Sequence, residues 1–175
     1  TRSTAWMASF AAMSPCRRSR WRPPPFSSLR VTVAEKFSQS DEELLDRFQR
    51  AAFGYFVDQF NSQNGLVADT SRVGSPASIA VVGFALSCYP VGVERGWMSR
   101  ADAAARTLVT LRFFWSSVQS EQPDAIGYKG FYYRFLDIKT GKRAWQSEVP
   151  LIDTSRLLAG VLTARVYCCE DVPSE

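Results

Sequence analysis

From Ala77 to Cys88 the chain is apolar on nearly every side of a helical wheel. A helix without a polar face must be covered on most sides, so the rest of the chain is expected to pack around it. Ser75-Pro76 supplies a start signal, with Ser as N-cap and Pro at the first helical position. Pro90 supplies a stop. After a short connection, Val91 to Met98, Ser99 caps a further helix with Asp102 at the capping-box position. That helix presents Ala103, Thr107, Leu108, Leu111 and Phe114 inward. Two helices joined by so short a link are expected to be antiparallel neighbours.

An earlier helix is expected after Ser40-Asp41-Glu42-Glu43, which reads as a capping box. Its broad apolar face holds Leu44, Leu45, Phe48, Ala52, Phe56 and Phe60, predicted to be core. Asn61-Ser62-Gln63-Asn64-Gly65 is loop chemistry, and Gly65 to Gly74 continues it. Within that loop Asp69 fits an Asx-turn or cap with Thr70 and Ser71. Ser116 to Ile126 reads as a second polar loop.

From Gly127 the period changes. Tyr128, Phe131, Tyr133 and Phe135 mark a β-like segment, with Phe131, Tyr133 and Phe135 on one face and Tyr132, Arg134 and Leu136 on the other. A turn at Asp137 to Gly141 and a return through Trp145 predict a short hairpin over 128–147. The aromatic row either packs on the helices or lines a cleft. A last helix, from about Ile152 to Tyr167, is expected to run on Leu151, Ile152, Ser155, Leu158, Ala159, Leu162 and Val166. Glu148 and Asp153 stand at its mouth, where carboxylates favour the helix dipole. Aromatic surface beside carboxylates is also what sugar rings require: their C–H faces stack on aromatics, and their hydroxyls and glycosidic oxygens need acidic partners.

The 175 residues contain no histidine, which excludes Ser-His and Cys-His nucleophilic pairs and the usual zinc sites within this chain. Acid–base work falls to carboxylates, Tyr, Lys or Cys. Cys16, Cys88, Cys168 and Cys169 fit neither a metal motif nor a disulfide framework. Residues 1–36 hold seven basic residues and one acid, a net of +6 against −2 for the rest. With Pro23-Pro24-Pro25, residues 1–37 read as a disordered basic, proline-rich leader, and 38–175 as the folded part. The basic charge belongs to the leader, so no nucleic-acid partner is expected for the fold. No apolar run reaches the length of a membrane span, and the leader lacks the order of a signal peptide.

Four pieces, in order, carry a family resemblance: Asn64-Gly65-Leu66-Val67-Ala68-Asp69-Thr70-Ser71; Pro76 to Ala80 with Gly83-Phe84-Ala85-Leu86; Gly92-Val93-Glu94-Arg95-Gly96-Trp97; and Ile152-Asp153-Thr154 with Leu157-Leu158-Ala159-Gly160. Together they resemble the glycoamylase-like family of bacterial proteins, which includes endo-β-1,2-glucanases and a domain of cyclic β-1,2-glucan synthases. The resemblance covers roughly residues 38–170. It implies a mainly α fold, an incomplete (α/α)6 toroid of antiparallel helical hairpins, because the family's toroid is well over twice this length. It implies hydrolysis of a bacterial glucan, with the β-1,2 linkage as a candidate, without metal or organic cofactor. Asp153 and Glu148 are then the catalytic candidates, and Trp145, Tyr133, Asp69 and Lys129 the substrate contacts. Export to the periplasm or medium is implied by family analogy alone. The chain departs from the glucanases at Pro150, where they show an Asp. That departure favours the alternative, a non-catalytic carbohydrate-binding or scaffold module on the same helices. As an isolated unit the chain is expected to be poorly stable and of little activity, its apolar helix faces lacking partners.

Overall fold

A computed structural model describes residues 39–169, with side chains for 40–168. The leader expected at 1–37, Cys16 and the side chain of Cys169 lie outside the described residues. Four helices make up most of what is described: α1 (Gln39–Asp58), α2 (Ile79–Glu94), α3 (Arg100–Trp115) and α4 (Leu151–Cys169). Four two-residue strands accompany them: β1 (Ala77–Ser78), β2 (Gly127–Tyr128), β3 (Phe131–Tyr132) and β4 (Phe135–Leu136). They form two small antiparallel sheets, β1 with β4 and β2 with β3.

Helix α2 is the centre, as its all-round apolarity requires. Ile79, Ala80, Val82, Ala85, Leu86 and Tyr89 are buried along it. It packs mainly on α4. A side-chain carbon on Gly160 would collide with the Gly83 carbonyl, and one on Gly83 with the carbonyl of Arg156. The two helices therefore cross in backbone contact. Their direction follows from their ends. Ile79 N–H donates to the Arg134 carbonyl, and Arg134 pairs with Asp153 in the first turn of α4. At the other end the Tyr167 hydroxyl donates to Glu94 over 2.7 Å. So α2 and α4 run parallel, both N-termini at the Arg134 end. Helix α3 runs against them: Arg100 at its start donates to the Tyr167 carbonyl, and Phe114 near its end packs edge-on to Tyr132. Ser99 is the expected N-cap: its hydroxyl accepts from the Asp102 N–H at 3.0 Å and donates to the Asp102 carboxylate at 2.6 Å, in place of the Ser99 N–H bond of a full capping box.

Several expectations fail for identifiable reasons. Helix α1 already begins at Gln39, so Ser40 lies inside its first turn rather than at the cap. Its predicted core stripe is largely uncovered: Leu44, Leu45 and Phe48 are exposed, because only the second half of the helix reaches the core. Phe53 does that work, seated against Gly92 and 5.6 Å from the Trp97 ring. Ser75 is a loop staple, not a cap: its hydroxyl accepts from the Thr70 N–H at 3.0 Å. Ala77-Ser78, expected as helix, pairs instead with Phe135-Leu136, and Ser78 is the N-cap. Pro90 does not stop α2 but sits inside it; it costs one backbone bond, from the position that would serve Leu86, and the helix continues to Glu94. In α4 the buried positions are Asp153, Thr154, Leu157, Gly160 and Ala164. Leu151, Ile152, Leu162 and Val166 of the predicted face are exposed, because the glycine side of the helix, not its bulky side, meets α2.

The long strand also breaks. Lys129 (φ 51°) and Gly130 (φ 90°) turn β2 back onto β3 in a tight hairpin. The chain then bends at Tyr133-Arg134, so Tyr132 and Tyr133 are both buried and the simple alternation is lost. The predicted turn at 137–141 is present: the Asp137 carboxylate accepts from the N–H of Lys139 and Thr140, and Gly141 takes φ 73°.

Candidate active site

The bend that breaks the strand is what builds the site. Arg134 leaves the chain at the bend, with its N–H bonded to the Glu148 carbonyl at 3.0 Å and its carbonyl bonded to Ile79 at the head of α2. Its guanidinium reaches both predicted carboxylates. Nη1 lies 2.8 Å from Glu148 Oε1, and Nε lies 3.0 Å from Asp153 Oδ2. Sequence spacing left open whether Glu148 and Asp153 converge; one guanidinium brings them together. Asp153 is buried, and its second oxygen accepts from Arg156 Nη1 at 3.0 Å, three residues along the same helix. Glu148 is open to solvent.

The segment returning from the Asp137 turn carries Trp145 outward, the residue being 74% exposed. Its backbone is unusual. Trp145 (φ 50°) and Gln146 (φ 53°) are consecutive non-glycine residues in the left-handed region, a conformation costing roughly 1–2 kcal/mol at each. The surrounding bonds hold it. Arg143 Nε donates to the Ser147 carbonyl and Nη2 to that of Gln146, both at 2.8 Å. The Ser147 hydroxyl exchanges bonds with both backbone groups of Phe135, at 3.3 and 3.1 Å. The Phe135 ring meets the indole edge-on at 5.9 Å. The turn therefore presents an aromatic face on the chain segment that leads into Glu148.

Tyr133 occupies a different place from the one its sequence position implied. It is buried, its ring is covered by the Arg143 guanidinium at 3.9 Å, and its hydroxyl points to the Ser120 carbonyl. It supports the turn from below and offers no open face for stacking. Asp69 lies half-buried on its loop, where its N–H bonds the Pro76 carbonyl at 2.7 Å. Burial and the Asp69 charge together raise the phenol of nearby Tyr55. The loop joins the site laterally, through the Ala68–Ala77 bridge and the pairing of Ala77 with Leu136. Lys129 stands at the exposed tip of the β2–β3 hairpin, 4.8 Å over the Tyr128 ring.

The arginines are what sequence reasoning missed. Two carboxylates at one helix mouth demand counter-charge. Arg156, three residues after Asp153, was the one partner whose spacing could have been read directly. Among the described residues no group of His, Cys, Asp and Glu could hold a metal ion. No described helix is long and apolar enough to cross a membrane.

Comparison with known proteins bears out the resemblance. The chain is 29% identical over 144 residues to an exo-β-1,2-glucooligosaccharide sophorohydrolase (non-reducing end) from Parabacteroides distasonis, which covers 77% of this chain and 18% of that protein. Among solved structures it is similar to a protein from Bacteroides uniformis provisionally classed as a glucoamylase, at 27% identity and a TM-score of 0.64, over 79% of this chain and 33% of the other. A β-1,2-glucanase from Parabacteroides distasonis matches at 27% identity and a TM-score of 0.60, over 75% of this chain and 18% of that one. An endo-β-1,2-glucanase from Chitinophaga pinensis shares the fold at 20% identity and a TM-score of 0.62, over 75% and 32%. The chain thus spans under a fifth of its curated relative and about a third of two of these solved chains. No family model matches it.

Proposed function

We propose that this chain forms one wall of a glycoside-hydrolase site acting on a β-linked bacterial glucan, of the β-1,2-linked kind its relatives are named for. The observation that carries the reading is the convergence of Glu148 and Asp153 on the Arg134 guanidinium, beside an exposed indole held in a strained turn. Glycoside hydrolysis uses a pair of carboxyl groups on one scissile bond. Of such a pair this wall supplies Glu148, which solvent and substrate can reach and which the Arg134–Asp153 pair backs. Trp145 offers the flat apolar face that the C–H side of a pyranose covers. Asp69 and Lys129, on neighbouring loops, are further candidate contacts to hydroxyls. The carboxylate chemistry itself calls for no metal or organic cofactor.

The architecture that supports this is a partial α/α toroid. Parallel α2 and α4, with α3 antiparallel to both, is the arrangement that such a ring repeats. The apolar groove of 640 Å³ between α3 and α4 is then the face on which a further helical hairpin of the ring packs.

A second reading, sugar binding without turnover, is favoured by two specific features. Both Asp153 oxygens are already engaged by arginines, and Pro150 stands where the glucanases show an Asp. Titration with β-1,2-, β-1,3- and β-1,4-linked glucooligosaccharides, followed by indole fluorescence and by release of reducing ends, separates the readings. Hydrolysis lost in Glu148→Gln supports the first. Binding that needs Trp145 but is indifferent to Glu148→Gln, with no release of reducing ends, supports the second. Absence of sugar binding by the folded chain overturns both.

A further inference from the structure

Glu148 and Asp153 differ sharply in access: their side chains are 61% and 9% exposed. An exposed ion pair by itself holds little; two long side chains lose entropy to stay in one geometry, and the net gain is about 0–1 kcal/mol. The Arg134–Glu148 pair is not by itself. The same guanidinium is bonded through a different nitrogen to a buried carboxylate, and that carboxylate is oriented by a second arginine on its own helix. The backbone of Arg134 is tied at both ends, to Glu148 and to Ile79. A planar guanidinium gripped at Nε keeps its remaining donors in fixed directions, which an ammonium group would not do.

We infer that Arg134 is a positioning residue: buried Asp153 locks its guanidinium, and the locked guanidinium fixes the carboxylate of Glu148 at the open edge of the site. Asp153 then acts through Arg134 and does not touch sugar. The sugar-facing role of Glu148 rests on the function proposed above; the locking of Glu148 by Asp153 does not.

The test uses the full chain labelled at glutamate side chains, with the Glu148 signal assigned by its loss in Glu148→Gln. In the wild type the two Glu148 γ-protons are expected to be inequivalent and their relaxation to be that of an ordered group. Asp153→Asn and Arg134→Ala each bring Glu148 to the averaged behaviour of a solvent-exposed glutamate such as Glu94 in a Tyr167→Phe background. Combining them brings no further change. Arg134→Lys, which keeps the charge but not the fork, recovers less than half of the order. If Asp153→Asn is too unstable to fold, the contrast of Arg134→Lys and Arg134→Ala with wild type decides, because Arg134 is only partly buried. Glu148 equally ordered in a folded variant of either residue overturns the inference. A second arm measures affinity for sophorotriose. Asp153→Asn is expected to weaken binding about tenfold, Glu148→Gln likewise, and the double variant no more than either. Losses that multiply overturn the coupling. If Glu148 loosens as expected but the wild type binds no sugar, the positioning role stands and the glucan reading falls.

Discussion

The two flanks of α4 are built in opposite ways. Toward α2 the helix presents Gly160 and meets Gly83 in backbone contact, with no side chain between the two backbones at that point. Toward α3 it presents Leu158, Val161 and Leu162 across an open apolar groove whose far wall is Leu111, Phe114 and Trp115. The two flanks differ in side-chain bulk. Small residues let helices close, while large ones facing each other without interdigitating leave a channel. The consequence is functional. Arg134 and Asp153 are tied to α2 through Ile79, so the closed flank fixes the carboxylates. The open flank can be altered without moving them.

The largest effect is therefore expected on the closed side. In Gly160→Ala the new carbon meets the Gly83 carbonyl, a backbone group that cannot swing away. The helices must part along their whole crossing, and overpacking of this kind costs about 1–3 kcal/mol. We expect the upper end of that range in a denaturant titration, and a similar loss for Gly83→Ala, whose carbon meets the backbone of Arg156. A cost near zero would mean that the crossing is looser than described, and the contrast between the flanks would collapse.

The next effect asks how deep the open flank lets water reach. Tyr132 lies at the floor of the groove, and Tyr89 is buried where α2, α3 and α4 meet. Burial pushes both phenols up from 10.0 to about 12, against weaker lowering by Arg106 at Tyr89 and by Ser117 at Tyr132. The unfolded chain releases these protons first. Their stabilising contribution is thus whole below pH 10 and is lost as pH rises through about 12. Absorbance at the phenolate band should show these two tyrosines titrating late, together with a fall in stability of on the order of 5 kcal/mol for the pair over that interval. Ordinary titration of Tyr132 would show that the groove floor is wet.

Much of this was legible before any coordinates. The apolarity of 77–88 placed α2 at the centre, Ser99 and Asp102 placed the start of α3, and the turn at Asp137 fell where expected. What misled was local chemistry overruled by tertiary pairing. Ala77-Ser78 could enter a strand because Phe135-Leu136 was there to pair with it. The stripe of α1 did not become core because Leu44, Leu45 and Phe48 precede the part of the helix that is seated on the core, where Phe53 meets Gly92. In α4 the rule that large apolar side chains face inward gave the wrong face, since Gly160 allows closer approach than any leucine. Glu148 and Asp153 were singled out as candidates, but their convergence on one guanidinium was not, because Arg134 joins them from a bend that an alternating aromatic pattern conceals. Trp145 was read as a stacking group from its place in the chain; its left-handed backbone has no signature in sequence, and neither does the Arg143 clamp that holds it.

The smallest effect is expected on the open side, and it is the most discriminating. Leu162 is 50% exposed at the groove, so Leu162→Ser removes few packed contacts. Surface substitutions of this kind stay within about 0.5 kcal/mol. What should change is association. The groove joins exposed Trp115 to Leu162, with Val166 a turn further on, and contiguous apolar surface of that kind drives molecules together. Sedimentation of the wild type should drift toward larger species with concentration, and the Leu162→Ser variant should drift less at unchanged stability. A loss of 2 kcal/mol or more, on the order expected for a buried leucine, would place Leu162 in a closed interface. The flanks of α4 would then differ in side-chain size but not in packing, and an open face could no longer be invoked to receive a further hairpin.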